Sequence, residues 1–181
     1  MKKIFTIVIF TENKIGLLNR VTSLFTQRHI NIESLTTSES EYDGIHRFTV
    51  VIEETEERTF KVVRQIEKQV EVLKAFCFTD EETVSSEIAL YKIKLDDSVD
   101  SSSLQAVMDK HDAHVKEEVG KFLIIEKTGL KQETHVLFEA LKPFGIQGFV
   151  RSGRESLSKT ISTFSKHLQE LEAHSKEIIS Q

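Results

Sequence analysis

The stretch Thr11-Glu-Asn13-Lys-Ile-Gly16-Leu-Leu-Asn-Arg-Val21 sets a polar loop and a glycine between an apolar run and the start of a helical pattern. Unpaired N–H groups at a helix N-terminus attract a carboxylate, and a glycine there lets a ligand approach the backbone closely. The Asn13 amide offers both a donor and an acceptor, which suits the α-groups of an amino acid. Asn31, opening the next extended segment, is a second polar anchor. The same two asparagines also serve ordinary turns and caps, so their spacing leaves both uses open.

Other chemistries are poorly represented. A zinc site needs three or four convergent ligands. Of the seven histidines, only His111 and His114 stand close together, with no cysteine or second pair beside them. Cys77, flanked by Phe76 and Phe78, reads as a structural thiol rather than a nucleophile. No Lys-Ser/Thr follows a glycine-rich loop, so a phosphate cradle of that type is missing. Gly145-Ile-Gln-Gly148-Phe-Val-Arg151 resembles the anion-binding loop of acylphosphatases. That loop follows the first strand of its fold, however, and here the stretch closes the last one, with every asparagine (Asn13, Asn19, Asn31) far upstream.

Composition narrows the choice further. With 24 Lys+Arg against 29 Asp+Glu the chain carries a formal charge of −5, which argues against nucleic-acid binding. No apolar run approaches the roughly 18–20 residues that span a bilayer. Residues 1–10 (MKKIFTIVIF) lack a small-residue cleavage site and read as a first strand, not a leader. A single cysteine excludes an intramolecular disulfide framework and suits a cytoplasmic protein.

The loop must be held by regular elements, and the periodicity supplies them. Lys3–Phe10 is almost continuously apolar, as for a strand covered on both faces. Leu17, Val21, Leu24 and Phe25 recur at helical spacing to about Arg28. Asn31–Thr37 is extended, Ser38–Gly44 a hairpin turn and His46–Glu53 a strand. Residues 56–69 predict a helix with Phe60, Val63 and Ile66 inward, and Val70–Phe78 a closing strand. This is a βαββαβ unit. After a polar linker, 80–86, the order repeats: strand Glu87–Leu95, helix near 103–110, strands Ala113–Glu118 and Phe122–Lys127. A helix over 129–142 then carries Leu130, Val136, Leu137 and Leu141, and the unit ends in a strand at Ile146–Val150. The expected fold is thus α+β, two ferredoxin-like βαββαβ domains (1–79 and 87–153) with an added C-terminal helix.

Glu12-Asn13, Gly16-Leu-Leu-Asn-Arg-Val21, Leu24-Phe25, Gln27-Arg28 and Asn31-Ile-Glu-Ser-Leu35 together resemble the small regulatory subunits of acetolactate synthase (acetohydroxyacid synthase). Gln65-Ile-Glu-Lys-Gln69, Glu87-Ile-Ala-Leu-Tyr-Lys-Ile93, Gly145-Ile and Arg151-Ser-Gly153 extend the likeness over about residues 1–158. The resemblance implies that the N-terminal unit is an ACT domain binding a branched-chain amino acid, usually valine. Such domains pair side by side with effector sites at their interface, which implies a homodimer. The expected effector-binding set is Asn13, Ile15, Gly16, Leu17, Leu18, Asn31 and Ile32. Ile15-Gly16-Leu17 departs from the common Pro-Gly-small pattern, and Leu17 would narrow a pocket that it lined. The resemblance also implies a large catalytic partner that this chain activates and makes sensitive to feedback inhibition. Thiamine diphosphate, Mg²⁺ and FAD are expected on that partner. This chain has neither a Gly-Asp-Gly nor any asparagine after residue 31, so no cofactor and no catalytic residue is expected on it. The alternative is a free-standing ACT-domain sensor governing transcription or another enzyme, but no helix-turn-helix or basic stripe is present.

Residues 154–181 contain no glycine or proline, and Leu157, Ile161, Phe164, Leu168, Leu171 and Ile178 follow a heptad seam. The pattern predicts an amphipathic helix capped by Ser156 or Ser158. Its seam must pack on the sheet of the second domain, on a two-fold partner's tail or on the catalytic subunit.

Overall fold

The structure is a computed structural model, and it describes residues 1–95, 99–160 and 164–169. It divides into two compact units, Met1–Val84 with Ser156–Gln181, and Ser85–Glu155.

In the first unit β1 (Lys3–Glu12), β2 (Ser34–Glu39), β3 (Ile45–Glu54) and β4 (Val72–Thr79) form an antiparallel sheet in the order β2-β3-β1-β4. This is the split-βαβ order that the repeat predicts. Helices α1 (Leu17–Gln27) and α2 (Glu56–Ile66) lie on one face. Because strand residues alternate, Phe5, Ile7 and Ile9 of β1 meet Phe48, Val50 and Ile52 of β3 under those helices, with Leu17, Val21 and Phe25 of α1 above them. Thr6, Val8 and Phe10 point to the opposite face and are just as buried. The uninterrupted apolar run of β1 therefore marks a strand enclosed on both sides.

α1 ends where His29 takes a positive φ of 53° and the Ile30 N–H returns to the Phe25 carbonyl at 3.0 Å. α2 starts on Glu56 and Glu57, whose charges suit the helix N-terminus. Its inward stripe is Thr59, Val62, Val63 and Ile66. Phe60, expected inward, is 46% exposed, because a helix that buries the i, i+3, i+4, i+7 set turns position 60 outward.

The second unit repeats the plan with β5 (Thr83–Lys94), β6 (His114–Val119), β7 (Phe122–Gly129) and β8 (Ile146–Arg151) in the order β6-β7-β5-β8. Helices α3 (Ser101–Lys110) and α4 (Lys131–Leu141) cover Ala89, Tyr91, Ile93, Leu123 and Ile125. α3 begins two residues earlier than its periodicity indicates because Asp100 caps it, accepting from the Ser102 N–H at 3.1 Å. In α4 the buried residues are Thr134, Leu137 and Leu141, whereas Leu130 and Val136 face solvent.

Two expectations about the connecting segments are corrected. Residues 80–86 are no open linker: Asp80–Glu82 form a 3-10 turn and Thr83 already opens β5. Residues 155–158 are not helical either but form β9 (Glu155–Ser158), which pairs with β5. β5 is twelve residues long and β8 pairs only its Ala89–Ile93 stretch. Its earlier backbone groups need another partner, and β9 supplies one. Leu157 is consequently 67% exposed instead of lying on a seam.

Helix occurs in the tail at residues 164–169, where Phe164 and Leu168 pack on the second face of the N-terminal sheet with Val8, Phe10 and Phe76. Phe164 stacks on Phe10 with ring centroids 4.0 Å apart. The described helical part of the tail thus packs Phe164 and Leu168 against the first sheet, not the second. Ile161, Leu171 and Ile178 lie outside the described residues.

Candidate functional site

β1 delivers the polar loop to the end of the sheet. There the Glu12 N–H donates to the Glu71 carbonyl (3.0 Å) and the Asn13 N–H to the Gly44 carbonyl (3.1 Å). Lys14 pairs with Glu12 at 2.7 Å on the surface. Gly16 then takes φ 82° as the residue before α1, a left-handed conformation that side-chain-bearing residues rarely adopt. A Cβ at Gly16 would meet nothing within 4 Å, so backbone conformation and not crowding calls for glycine. No side chain caps α1; the Leu17 N–H turns back to the Lys14 carbonyl at 3.3 Å, which leaves those of Leu18 and Asn19 open to solvent or to an anion.

Of the expected binding set, Asn13, Ile15, Gly16 and Leu18 are exposed around this opening, with Ile15 fully so. Leu17 is 1% exposed in the unit's own core and does not stand in the opening. Asn31 lies elsewhere. Its Nδ2 donates to Glu33 Oε1 at 2.6 Å, and Ile32 is half-buried against the core. The next N–H, on Glu33, reaches the Val51 carbonyl, and Val51 pairs with Thr6, whereas the Asn13 loop follows Glu12, which pairs with Ile45. The two asparagines therefore sit at opposite ends of the sheet, roughly 20 Å apart at 3.3 Å per strand residue. One chain does not bring them together.

Sequence reasoning missed Glu71. Its carboxylate accepts from the Arg20 Nη at 2.7 Å, and its carbonyl holds Glu12, so it ties the loop and α1 to the start of β4. The hydrogen bond from Arg20 keeps the Glu71 carboxyl below the usual carboxylate range. No sequence signal marks this pair, since the partners are 51 residues apart.

Among the described residues no three His, Cys, Asp or Glu side chains gather to hold a metal, and no helix is long and apolar enough to cross a membrane. Arg151, the arginine of the acylphosphatase-like stretch, is not free for an anion, because its Nε lies 3.0 Å from the carboxylate of buried Glu87. Cys77 is a free, half-buried thiol whose pKa is pushed up to about 12, first by burial and then by the nearby charges of Glu82 and Glu56. At pH 8 the native thiol should react far more slowly with a disulfide reagent than the urea-unfolded chain, because the thiolate is the nucleophile. Equal rates in the two states would show the thiol to be open.

Two ferredoxin-like units, the first with an uncapped helix and a glycine-opened loop at its β1–α1 junction, define a tandem βαββαβ protein whose first unit is of the ACT type. Residues 7–74 match the AHAS small subunit-like ACT domain, and residues 86–160 match the small subunit of acetolactate synthase. The chain is 33% identical over 160 residues to the acetolactate synthase small subunit of Bacillus subtilis, spanning 88% of this chain and 91% of that protein. It is 34% identical over 157 residues to that of Mycobacterium bovis, spanning 87% and 93%. The crystal structure of the Thermotoga maritima small subunit superposes with a TM-score of 0.80 over 88% of this chain and 99% of that one, at 23% identity. The chain belongs to the acetolactate synthase small-subunit family, whose role is regulatory.

Proposed function

We propose that this chain binds and activates a large thiamine-diphosphate-dependent acetolactate synthase subunit, and transmits feedback inhibition by valine to it. On this reading the chain is not itself a catalyst: the condensation of two pyruvates, and the thiamine diphosphate, Mg²⁺ and FAD, belong to the partner. The observation that carries the effector reading is the placement of the two asparagines. β2 is an edge strand of the N-terminal sheet. If two copies pair their β2 edges antiparallel about a two-fold axis, the Asn31 end of one meets the Asn13 end of the other. Two half-sites then become two complete ones, and an exposed edge is covered. In each site the first-turn N–H groups of α1 face the carboxylate, while the Asn13 and Asn31 amides flank the α-carbon.

The test joins three measurements. Sedimentation should give a dimer rather than a 20.7 kDa monomer at micromolar concentration. Calorimetry should show valine binding that Asn13→Ala weakens by about 1–3 kcal/mol, the cost of leaving a polar partner unmet. The purified large subunit should gain activity when the chain is added, and valine should lower it again. A monomer, equal valine affinity in wild type and variant, or an unresponsive large subunit would each overturn the corresponding part.

A further inference from the structure

The second face of the N-terminal sheet holds a cleft that the effector site does not use. It lies between the sheet and the returning C-terminal segment and has a volume of about 200 Å³, lined by Phe10, Phe76, Phe78 and Phe164, with Arg47 and Glu41 supplying charge. That is smaller than the ~300–1,000 Å³ of drug-sized pockets, so it suits a small ligand with an apolar body.

Arg47 is poorly matched to its surroundings. One Nη donates to the Ser156 carbonyl, and the guanidinium lies 5.9 Å from the Phe10 ring centroid. Its Nε is buried without an acceptor, and among the described residues no carboxylate forms an ion pair with it. Two further buried groups lack partners: the Thr49 hydroxyl, two residues along the same face of β3, and the hydroxyl of Ser156, which is 4% exposed. A guanidinium half-buried among aromatic rings, with its Nε unspent and no carboxylate paired with it, is costly unless an anion completes it. Its planar fork fits a carboxylate.

We propose that this cleft is a second ligand site, taking a small α-amino acid with an apolar side chain. The carboxylate sits on Arg47, the ammonium faces Glu41, and the side chain enters between the aromatic rings. Because Phe164 forms one wall, the ligand bridges the sheet and the C-terminal segment and holds them together.

The test uses the full chain carrying Asn13→Ala, so that the loop at the other site contributes least, and two probes: L-leucine and 4-methylpentanoate, its counterpart without the ammonium. Leucine should bind saturably and more tightly than 4-methylpentanoate. Arg47→Lys keeps the charge but loses the fork, and should weaken both by about tenfold or more. Glu41→Gln, at an exposed position, cannot disturb the core and should weaken leucine alone. Leucine should also change the fluorescence of Tyr42, whose ring packs edge-on against Phe164 at 5.4 Å. The chain has no tryptophan to obscure that signal. Absence of saturable leucine binding, or leucine affinity unchanged by both Arg47→Lys and Glu41→Gln, overturns the site. Those outcomes are independent of whether valine binds at Asn13, so the two sites stand or fall separately.

Discussion

Replacing Arg151 with methionine should destabilise the C-terminal unit by about 3–5 kcal/mol, because it strands a buried carboxylate. Glu87 is 7% exposed, and Arg151 Nε lies 3.0 Å from its Oε2. The contact is off the line required for a hydrogen bond, so the attraction is chiefly between charges. The same guanidinium reaches the Lys131 carbonyl and the Thr134 hydroxyl, each at 3.3 Å, so it also fastens β8 to the first turn of α4. A loss of this size is a large fraction of a domain's total stability. The C-terminal unit should therefore unfold at lower urea than the N-terminal one in the variant. Glu87→Gln combined with Arg151→Met should recover much of the loss, since no buried charge is then left alone. A shift of under about 1 kcal/mol in the single variant would mean that water reaches Glu87 and the pair is ordinary surface chemistry.

The regular elements were legible because their signals are local. β1 announces its double burial through consecutive apolar residues, and both βαββαβ orders follow from changes of period. The errors are equally specific. Hydrophobicity alone places Phe60 inward, yet the buried stripe of α2 runs through Thr59 and Val62, a choice made by the sheet beneath and not by the helix. Residues 155–158 fit a heptad, but the unpaired length of β5 drew them into a strand, and only the lengths of two distant strands reveal that need. At the candidate site the chemistry of Asn13 and Gly16 could be read from the loop. The separation of Asn13 from Asn31 could not, because it depends on α1 running the length of the sheet between them. Leu17 illustrates the same limit: sequence places it beside the loop, and packing turns it into the core.

Removing everything after Gly153 should strip one wall from the N-terminal unit. The deleted segment includes Phe164, which is 1% exposed and nearly parallel to Phe10, at 3° between the ring planes. It also includes Ser156, whose carbonyl accepts from Arg47, and Lys159, whose N–H donates to the Glu82 carbonyl at 2.9 Å. Burying a phenylalanine is worth ~1.5–3 kcal/mol and an aromatic pair ~0.5–1.5 more, so a loss of about 2–4 kcal/mol is expected. Phe164→Ala should reproduce most of it. The loss cannot exceed the free energy that holds the segment down, because the segment can lift off locally without unfolding the sheet. Val8, Phe10, Phe76 and Phe78 would then face water as one apolar patch, and such patches bind hydrophobic dyes and self-associate. The truncated chain should accordingly show a lower urea midpoint for its N-terminal unit and new dye binding, while valine binding at the loop persists in the folded fraction. If midpoint and dye binding match the full chain, the segment does not rest on this sheet in solution. If both change but the large subunit is still activated, the segment serves to close the sheet and is not what docks to the partner.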